Sequence, residues 1–407
     1  MPSALISVDE YAARVRDLLG VARPTDVPLA DADALVLADD LVARVALPTF
    51  DNSAMDGYAV RHADLAADGP TTLPVSADIP AGATEVAPLA PGSAARIMTG
   101  APVPDGADTV VPVELTDAAQ TGAAPAQVTV AERVAAGKHV RPKGEEAAAG
   151  DVLLTAGTTL TPAALGLAAA VGHATVLAYP RPRVLVLSTG SELVRPGEEL
   201  LPGQIYESNS VQLVAALTRI GARARALNLV EDDVAAFHAR LRDEAAGADL
   251  IITSGGVSAG AYEVVKDALG GSVEFVKTAM QPGMPQGCGL FESTPIITLP
   301  GNPVSVFVSF EVYVRPALLA WMGVADTERP GFVGTWAGAA QGSPVGKRQF
   351  LRGECDVPSG SVTPVGTPPS HMLASLARAN SLVVIPEDVD SVNPGDEVEI
   401  WLLDPAL

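Results

Sequence analysis

The sequence predicts a multidomain α/β protein: a doubly wound α/β domain lies behind a helical N-terminal segment and a β-rich domain, and ahead of a small separate β-domain. Three observations carry this reading. Buried strands alternate with amphipathic helices between about Arg181 and Val324, short apolar stretches broken by Pro and Gly fill about Leu47 to Val134, and short alternating strands follow Thr327.

Ser7-Val8-Asp9-Glu10 marks the first helix as a capping box, whose hydroxyl and carboxylate can satisfy backbone donors, with Tyr11, Val15 and Leu18 along one face. The β-rich region is punctuated by Ile79-Pro80-Ala81-Gly82 and Ala101-Pro102-Val103-Pro104, and its Ala- and Gly-rich stretch at 118 to 127 reads as a loop tip. In the α/β region Val184 to Leu187 is a buried strand. Ser210 can cap a helix bearing Val211, Val214 and Leu217 and stopped by Gly221. A strand at 226 to 230, a helix with Val234, Phe237 and Leu241, and the strand Asp249 to Thr253 follow. This order specifies a parallel sheet with helices on both faces, whose ligands sit outside the carboxyl ends of the strands. Near the end, Val398, Ile400 and Leu402 face one way and are entered through the turn Asn393-Pro394-Gly395-Asp396.

At 407 residues the chain has length for about two to four domains. Its 26 Lys plus Arg against 48 Asp plus Glu give a net charge of −22, which argues against a protein that coats nucleic acid or an anionic membrane. No segment reads as a spanning helix; the best candidate, Leu165 to Tyr179, is short and carries His173. The N-terminus has no basic region followed by an apolar stretch, so no signal peptide is expected and a cytoplasmic location is. Cys288 and Cys355 lie far apart, and the five histidines lack ligand spacing, so a metal here would need hard oxygen ligands.

Three strand ends carry unusual loops. In Ser188-Thr189-Gly190-Ser191-Glu192 the Gly permits a sharp turn and Glu192 lands at the sheet's carboxyl edge. Thr253-Ser254-Gly255-Gly256-Val257-Ser258-Ala259-Gly260 lies between a strand and a helix, where free backbone N–H groups and the helix dipole suit a phosphate. Leu299-Pro300-Gly301-Asn302-Pro303-Val304-Ser305 follows the strand Ile296 to Thr298 and opens a long helix. Converging on one edge, the three predict an anion-binding cleft. The nearby carboxylates Glu192, Asp232, Asp233 and Glu263 would repel that anion unless a cation intervened, and magnesium bridging carboxylate to phosphate is the common solution.

The motifs Asp51-Asn52-Ser53-Ala54-Met55-Asp56-Gly57-Tyr58-Ala59 and Arg96-Ile97-Met98-Thr99-Gly100-Ala101-Pro102, together with the three loops, occur in an order that resembles the molybdopterin molybdenumtransferases, bacterial relatives of the gephyrin E domain. The resemblance spans nearly the whole chain. It implies a discontinuous N-terminal linker domain at 1–46 with 135–178, an inserted β-rich domain at 47–134, a molybdopterin-binding-like α/β domain at 179–326 and a C-terminal β-barrel-like domain at 327–407. It further implies a magnesium-dependent enzyme of molybdenum cofactor biosynthesis that inserts molybdate into adenylyl-molybdopterin and releases AMP. A homodimer whose cleft is shared between the α/β domain and the partner's Asp51 region is expected, as is an adenylyltransferase partner that supplies the substrate.

Carried over by motif, Asp51, Glu192, Asp232 and Glu263 become acidic catalytic candidates, the last three holding Mg2+, while Asp233 is the alternative to Asp232. Thr99, Ser254, Gly255, Gly256, Ser258, Pro300, Asn302, Pro303 and Ser305 are expected to line the substrate, and Glu146 stands where the family usually has aspartate. The family's Lys-Pro-Gly-Lys-Pro run stands here as Gln281-Pro282-Gly283-Met284-Pro285. The basic candidates that remain are Lys277, Lys347, Arg348 and Arg352, of which Arg352 with Ser370 is expected to form the first molybdate site.

Two other classes of function compete. The first is a non-catalytic scaffold or pterin-binding paralogue of the same fold, which a tethering linker or second enzymatic domain would mark, and neither is expected from this sequence. The run Gly256-Val257-Ser258-Ala259-Gly260 also matches the nucleophile elbow of serine hydrolases, but His371, in the separate β-domain, is the only histidine downstream.

Overall fold

The computed structural model describes residues 5–119, 121–190, 192–228, 234–255, 268–269 and 271–403. They group into two units: Met1–Thr25, Ala34–Ala38 and Leu177–Leu407 in one, Asp26–Asp33 and Asp39–Val176 in the other.

The first unit is built on a six-stranded sheet. In chain order its strands are β1 (Arg183–Ser188), β2 (Arg223–Asn228), β3 (Leu250–Ser254), β4 (Val273–Lys277), β5 (Pro285–Phe291) and β6 (Thr294–Leu299), arranged β2-β1-β3-β6-β5-β4. The four strands β2, β1, β3 and β6 run parallel, in agreement with the sequence. The sheet departs from the expected all-parallel form at β5 and β4, which pair antiparallel. Alternation in the central strands separates two cores. Val184 and Val186 face a cluster with Tyr11, Leu213, Leu217 and Val308, whereas Leu185 and Leu187 face Leu241, Leu269 and Ile296. Helices Val8–Leu19, Asn209–Arg219 and Pro303–Ser309 therefore cover one face and Val234–Ala245 the other.

Two helix starts differ from expectation. Ser7 Oγ does accept from Glu10 N at 3.0 Å, but the Glu10 carboxylate takes Arg14 at 2.8 Å instead of closing a capping box. Ser210 lies inside its helix, where Asn209 is the first residue and the N-cap Ser208 makes no side-chain cap bond. A further difference concerns apolar length. Pro303–Trp321, which includes a π-helical turn at Phe310–Val314, is long and apolar enough to cross a membrane, yet 72% of its most apolar window is buried inside the protein. It is a core helix by its contacts, and the candidate at Leu165 to Tyr179 contains only the short helix Pro162–Ala170 and a strand.

Also in the first unit, strands Gly331–Trp336, Arg348–Asp356, Ser361–Pro364, Ser381–Ile385 and Glu397–Leu402 close into a barrel around Trp336, Val362, Val383 and Ile400. Met280–Gln281 adds to it by pairing in parallel with Arg348 and Gln349.

The second unit carries a five-stranded sheet in the order Thr109–Pro112, Gly57–Val60, Ala94–Ile97, Thr71–Ile79, Gln127–Val130. Tyr58 and Val60 enter one cluster and Ala59 the other, so both faces of this sheet are buried.

Candidate functional site

The three loops singled out in the sequence meet at the carboxyl edge of the parallel strands. Ser188 pairs with Ser254 and Ser254 with Leu299 at the strand ends. Beyond them, Thr189 N donates to Ser254 O at 3.4 Å and Gly255 N to Leu299 O at 3.1 Å. Gly255 has φ +91°, and a Cβ there would sit 3.0 Å from Thr189 O, so both conformation and close approach require glycine. Gly301 approaches the same point, with its Cβ position 3.6 Å from Gly255 Cα. The Glu192 carboxylate is exposed and folds back over Gly190, 2.6 Å from where a Cβ would stand.

Behind this edge lies a buried carboxylate that the sequence reading did not single out. Glu207, 5% exposed, accepts at Oε1 from Ser188 Oγ at 2.7 Å and from Ser210 N at 2.8 Å, and at Oε2 from Ser210 Oγ. Ser188 Oγ lies 2.9 Å from Ser254 Oγ, which ties the first two loops to the start of helix Asn209–Arg219. Asn209 Nδ2 reaches the third loop by donating to Gly301 O at 2.8 Å. Glu207 thus takes over the helix-start role expected of Ser210. The available signal was an acid immediately before Ser208-Asn209-Ser210.

A cleft of about 520 Å³ opens beside the third loop, lined by Pro300, Gly301, Asn302 and Ser305 from that segment. Met280 to Pro285 form another wall, and Lys347 with Pro368, Pro369, Ser370 and His371 complete it. Pro303 is the first residue of its helix, and Asn302 turns its amide outward to donate to Ser370 Oγ at 2.8 Å. No carboxylate lines the cleft among the described residues. Arg352 is not on its lining. Its guanidinium is buried, with Nη1 donating to Pro369 O at 3.4 Å and Nη2 to Thr367 O, so it holds the loop that presents Ser370. Burial lowers the Arg352 pKa.

In the second unit, Asp51 Oδ1 accepts from Lys143 N at 2.6 Å. Thr99 is joined instead by Asp56, whose Oδ1 accepts from Thr99 N at 2.6 Å and Thr99 Oγ1 at 2.7 Å. These bonds, the backbone one first, hold the Asp56 carboxyl below its ordinary pKa against the opposing effect of burial. Asp56 belongs to the motif that drew attention to Asp51 and was passed over within it. Glu146 is exposed.

Asp232, Asp233, Gly256, Ser258 and Glu263 lie outside the described residues. Among the described residues no three His, Cys, Asp or Glu side chains gather as a metal site. Glu192 offers one exposed carboxylate at the sheet edge with no partner among the described residues, a donor type that suits magnesium, which usually takes one or two carboxylates and keeps several waters.

A parallel sheet edge with glycine loops and, beside it, a proline-walled cleft on which no carboxylate lies among the described residues place this chain among the α/β proteins with a pocket at the carboxyl ends of their strands. Three family models match this chain: the "MoeA N-terminal region (domain I and II)" over residues 6–172, the "Probable molybdopterin binding domain" over 185–320 and the "MoeA C-terminal region (domain IV)" over 339–403. The chain belongs to the MoeA family. It is 52% identical to molybdopterin molybdenumtransferase 2 of Mycobacterium tuberculosis, covering 97% of this chain and 99% of that one. It is 33% identical to the molybdopterin molybdenumtransferase of Bacillus subtilis over 98% and 94% of the two chains. The crystal structure of a molybdopterin biosynthesis MoeA protein from Pyrococcus horikoshii superposes with a TM-score of 0.80 at 28% identity, covering 98% of this chain and all of that one.

Proposed function

We propose that this chain is a molybdopterin molybdenumtransferase, inserting molybdate into adenylyl-molybdopterin and releasing AMP in molybdenum cofactor biosynthesis. The observation that carries the reading is the 52% identity, over nearly full length, to a relative of that name. The geometry supports it in kind: a strand edge with glycine loops lies in the same unit as a cleft that no carboxylate lines among the described residues. In this reading the glycine loop at Gly255, Gly256 and Ser258 receives the pterin phosphates on backbone N–H groups. Pro300, Asn302, Pro303 and Ser305 shape the cleft, and Ser370 donates to the incoming oxyanion. Arg352 fixes the Ser370 loop, the partner's Asp51 region completes the cleft in the proposed homodimer, and Thr99 is a further substrate-lining candidate.

Glu192, Asp232 and Glu263 are the proposed holders of Mg2+, which when bound supplies positive charge to pyrophosphate oxygens. The four-part division at 1–46 with 135–178, 47–134, 179–326 and 327–407, the homodimer, the cytoplasmic location and a supplying adenylyltransferase belong to the same proposal.

The test supplies purified protein with adenylyl-molybdopterin, molybdate and magnesium and follows AMP. AMP should appear only with all three present, and Glu263→Ala and Asp51→Ala should lose turnover while melting at the wild-type temperature. A folded wild-type protein that releases no AMP refutes the function. Undiminished turnover of both variants after chelation refutes the carboxylate and magnesium roles.

A further inference from the structure

We propose that Lys347 is the cation that holds an oxyanion in the proline-walled cleft, supplying from the barrel the charge that Gln281 and Met284 do not. Its role as an anion ligand stands on the geometry; the identity of the anion as molybdate rests on the function proposed above.

Three observations single it out. First, Lys347 is the only lysine or arginine lining the cleft among the described residues, in a chain with 48 acidic and 26 basic side chains. Second, its neighbours are already committed. Arg348 is bound to Asp9 at 2.8 and 3.0 Å and to Glu387 at 3.0 Å, and Arg352, off the lining, gives Nη1 and Nη2 to the Pro369 and Thr367 carbonyls while its Nε is buried without a partner among the described residues. The Lys347 ammonium has no hydrogen-bond or ion-pair partner among the described residues. Third, its backbone is fixed. Lys347 N donates to Pro344 O at 3.2 Å, Gly346 N to Glu387 O at 2.7 Å and Arg348 N to Ala279 O at 2.9 Å, and the next residues pair with Met280 and Gln281. The side chain therefore starts from a set point beside the wall where the family run has lysines.

The polar groups opposite suit a tetrahedral oxyanion. Ser370 Oγ accepts from Asn302 Nδ2 at 2.8 Å, which leaves the hydroxyl hydrogen to be donated into the cleft. With no carboxylate on the lining among the described residues, one ammonium and one hydroxyl meet an anion without a competing negative charge from them.

Equilibrium dialysis of the full chain against molybdate, and against tungstate as a second probe, tests the assignment. Lys347→Ala and Lys347→Met should weaken binding by on the order of tenfold or more. Lys347→Arg should restore most of it, and Met284→Lys should tighten it. Lys277→Ala, an exposed lysine off the cleft lining, should bind like wild type. Circular dichroism melts confirm that each variant folds. The proposal is overturned if Lys347→Met binds as wild type does, if His371→Gln rather than the lysine variants removes binding, or if the wild-type chain binds neither oxyanion. AMP release with lysine-independent binding sinks this inference and leaves the function standing. Lysine-dependent binding without AMP release does the reverse.

Discussion

Glu207→Ala is expected to loosen the site from behind. The substitution removes the acceptor used by Ser188 Oγ, Ser210 N and Ser210 Oγ. Ser188 keeps Ser254 Oγ at 2.9 Å, so its loss is small. The Ser210 amide and hydroxyl are left without a partner in a place where Ser210 is 3% exposed, at ~1–3 kcal/mol each, and the deleted side chain leaves a cavity that adds to this. The two groups together cost about 2–6 kcal/mol of local stability, with the cavity in addition. Glu207→Gln retains one oxygen for Ser188 and Ser210 N and should cost about 1–2 kcal/mol. Unfolding of a chain with two units need not be two-state, so the direct assay is native-state hydrogen exchange at Ser210 and the first turn of its helix, alongside guanidinium unfolding. Exchange at Ser210 should accelerate strongly in Glu207→Ala and modestly in Glu207→Gln. Unchanged exchange and midpoints within about 0.5 kcal/mol of wild type in Glu207→Ala would refute the reasoning.

Two further outcomes are expected. Because Asp56 has a folded pKa below its ordinary value of 3.8, it contributes stability above that value, and the contribution is lost as pH falls through the folded pKa. Thr99→Val deletes the hydroxyl bond and keeps the backbone one, so the Asp56 carboxyl should titrate at higher pH by NMR; an unmoved titration means the hydroxyl bond does not form in solution. Light scattering at micromolar concentration should give twice the chain mass, as a cleft completed by a partner requires an interface of more than ~1,600 Å². A fully active monomer contradicts that arrangement.

The parallel core of the α/β sheet was legible because Val184 to Leu187 and Leu250 to Ile252 are apolar runs bounded by turn residues. The antiparallel strands β4 and β5 were not. β5 contains Gln286, Gly287 and Gly289, which interrupt the apolar pattern. The structure explains the glycines: a Cβ would come 2.2 Å from Thr298 Oγ1 at Gly287 and 2.1 Å from Ser272 O at Gly289. The three edge loops were legible because a glycine following an apolar run is a local signal. Glu207 was half legible: its bonds to Ser210 are three residues away in sequence, whereas Ser188 is on another strand and only the register of the sheet sets it beside Ser254. Arg352 shows the same limit from the other side. Its charge suggested an anion ligand, and the fold places it off the cleft lining with Nη1 and Nη2 on the carbonyls of Pro369 and Thr367.

The turn from Thr278 to Gln286 has a further consequence. It is closed by bonds that involve no side chain at 281 or 284: Thr278 N and Oγ1 donate to Met284 O at 2.7 and 3.1 Å, and Gln286 Nε2 donates to Gly283 O at 2.6 Å and Ser309 Oγ at 2.6 Å. Its outer flank is fixed to the barrel by pairing of Met280 and Gln281 with Arg348 and Gln349. Residues 281 and 284 are therefore sockets in a rigid frame, into which lysine, glutamine or methionine can be fitted without redrawing the backbone. If the wall meets an anion as proposed, a lineage can retune its charge by single codon changes at these two positions without touching the bonds that close the turn.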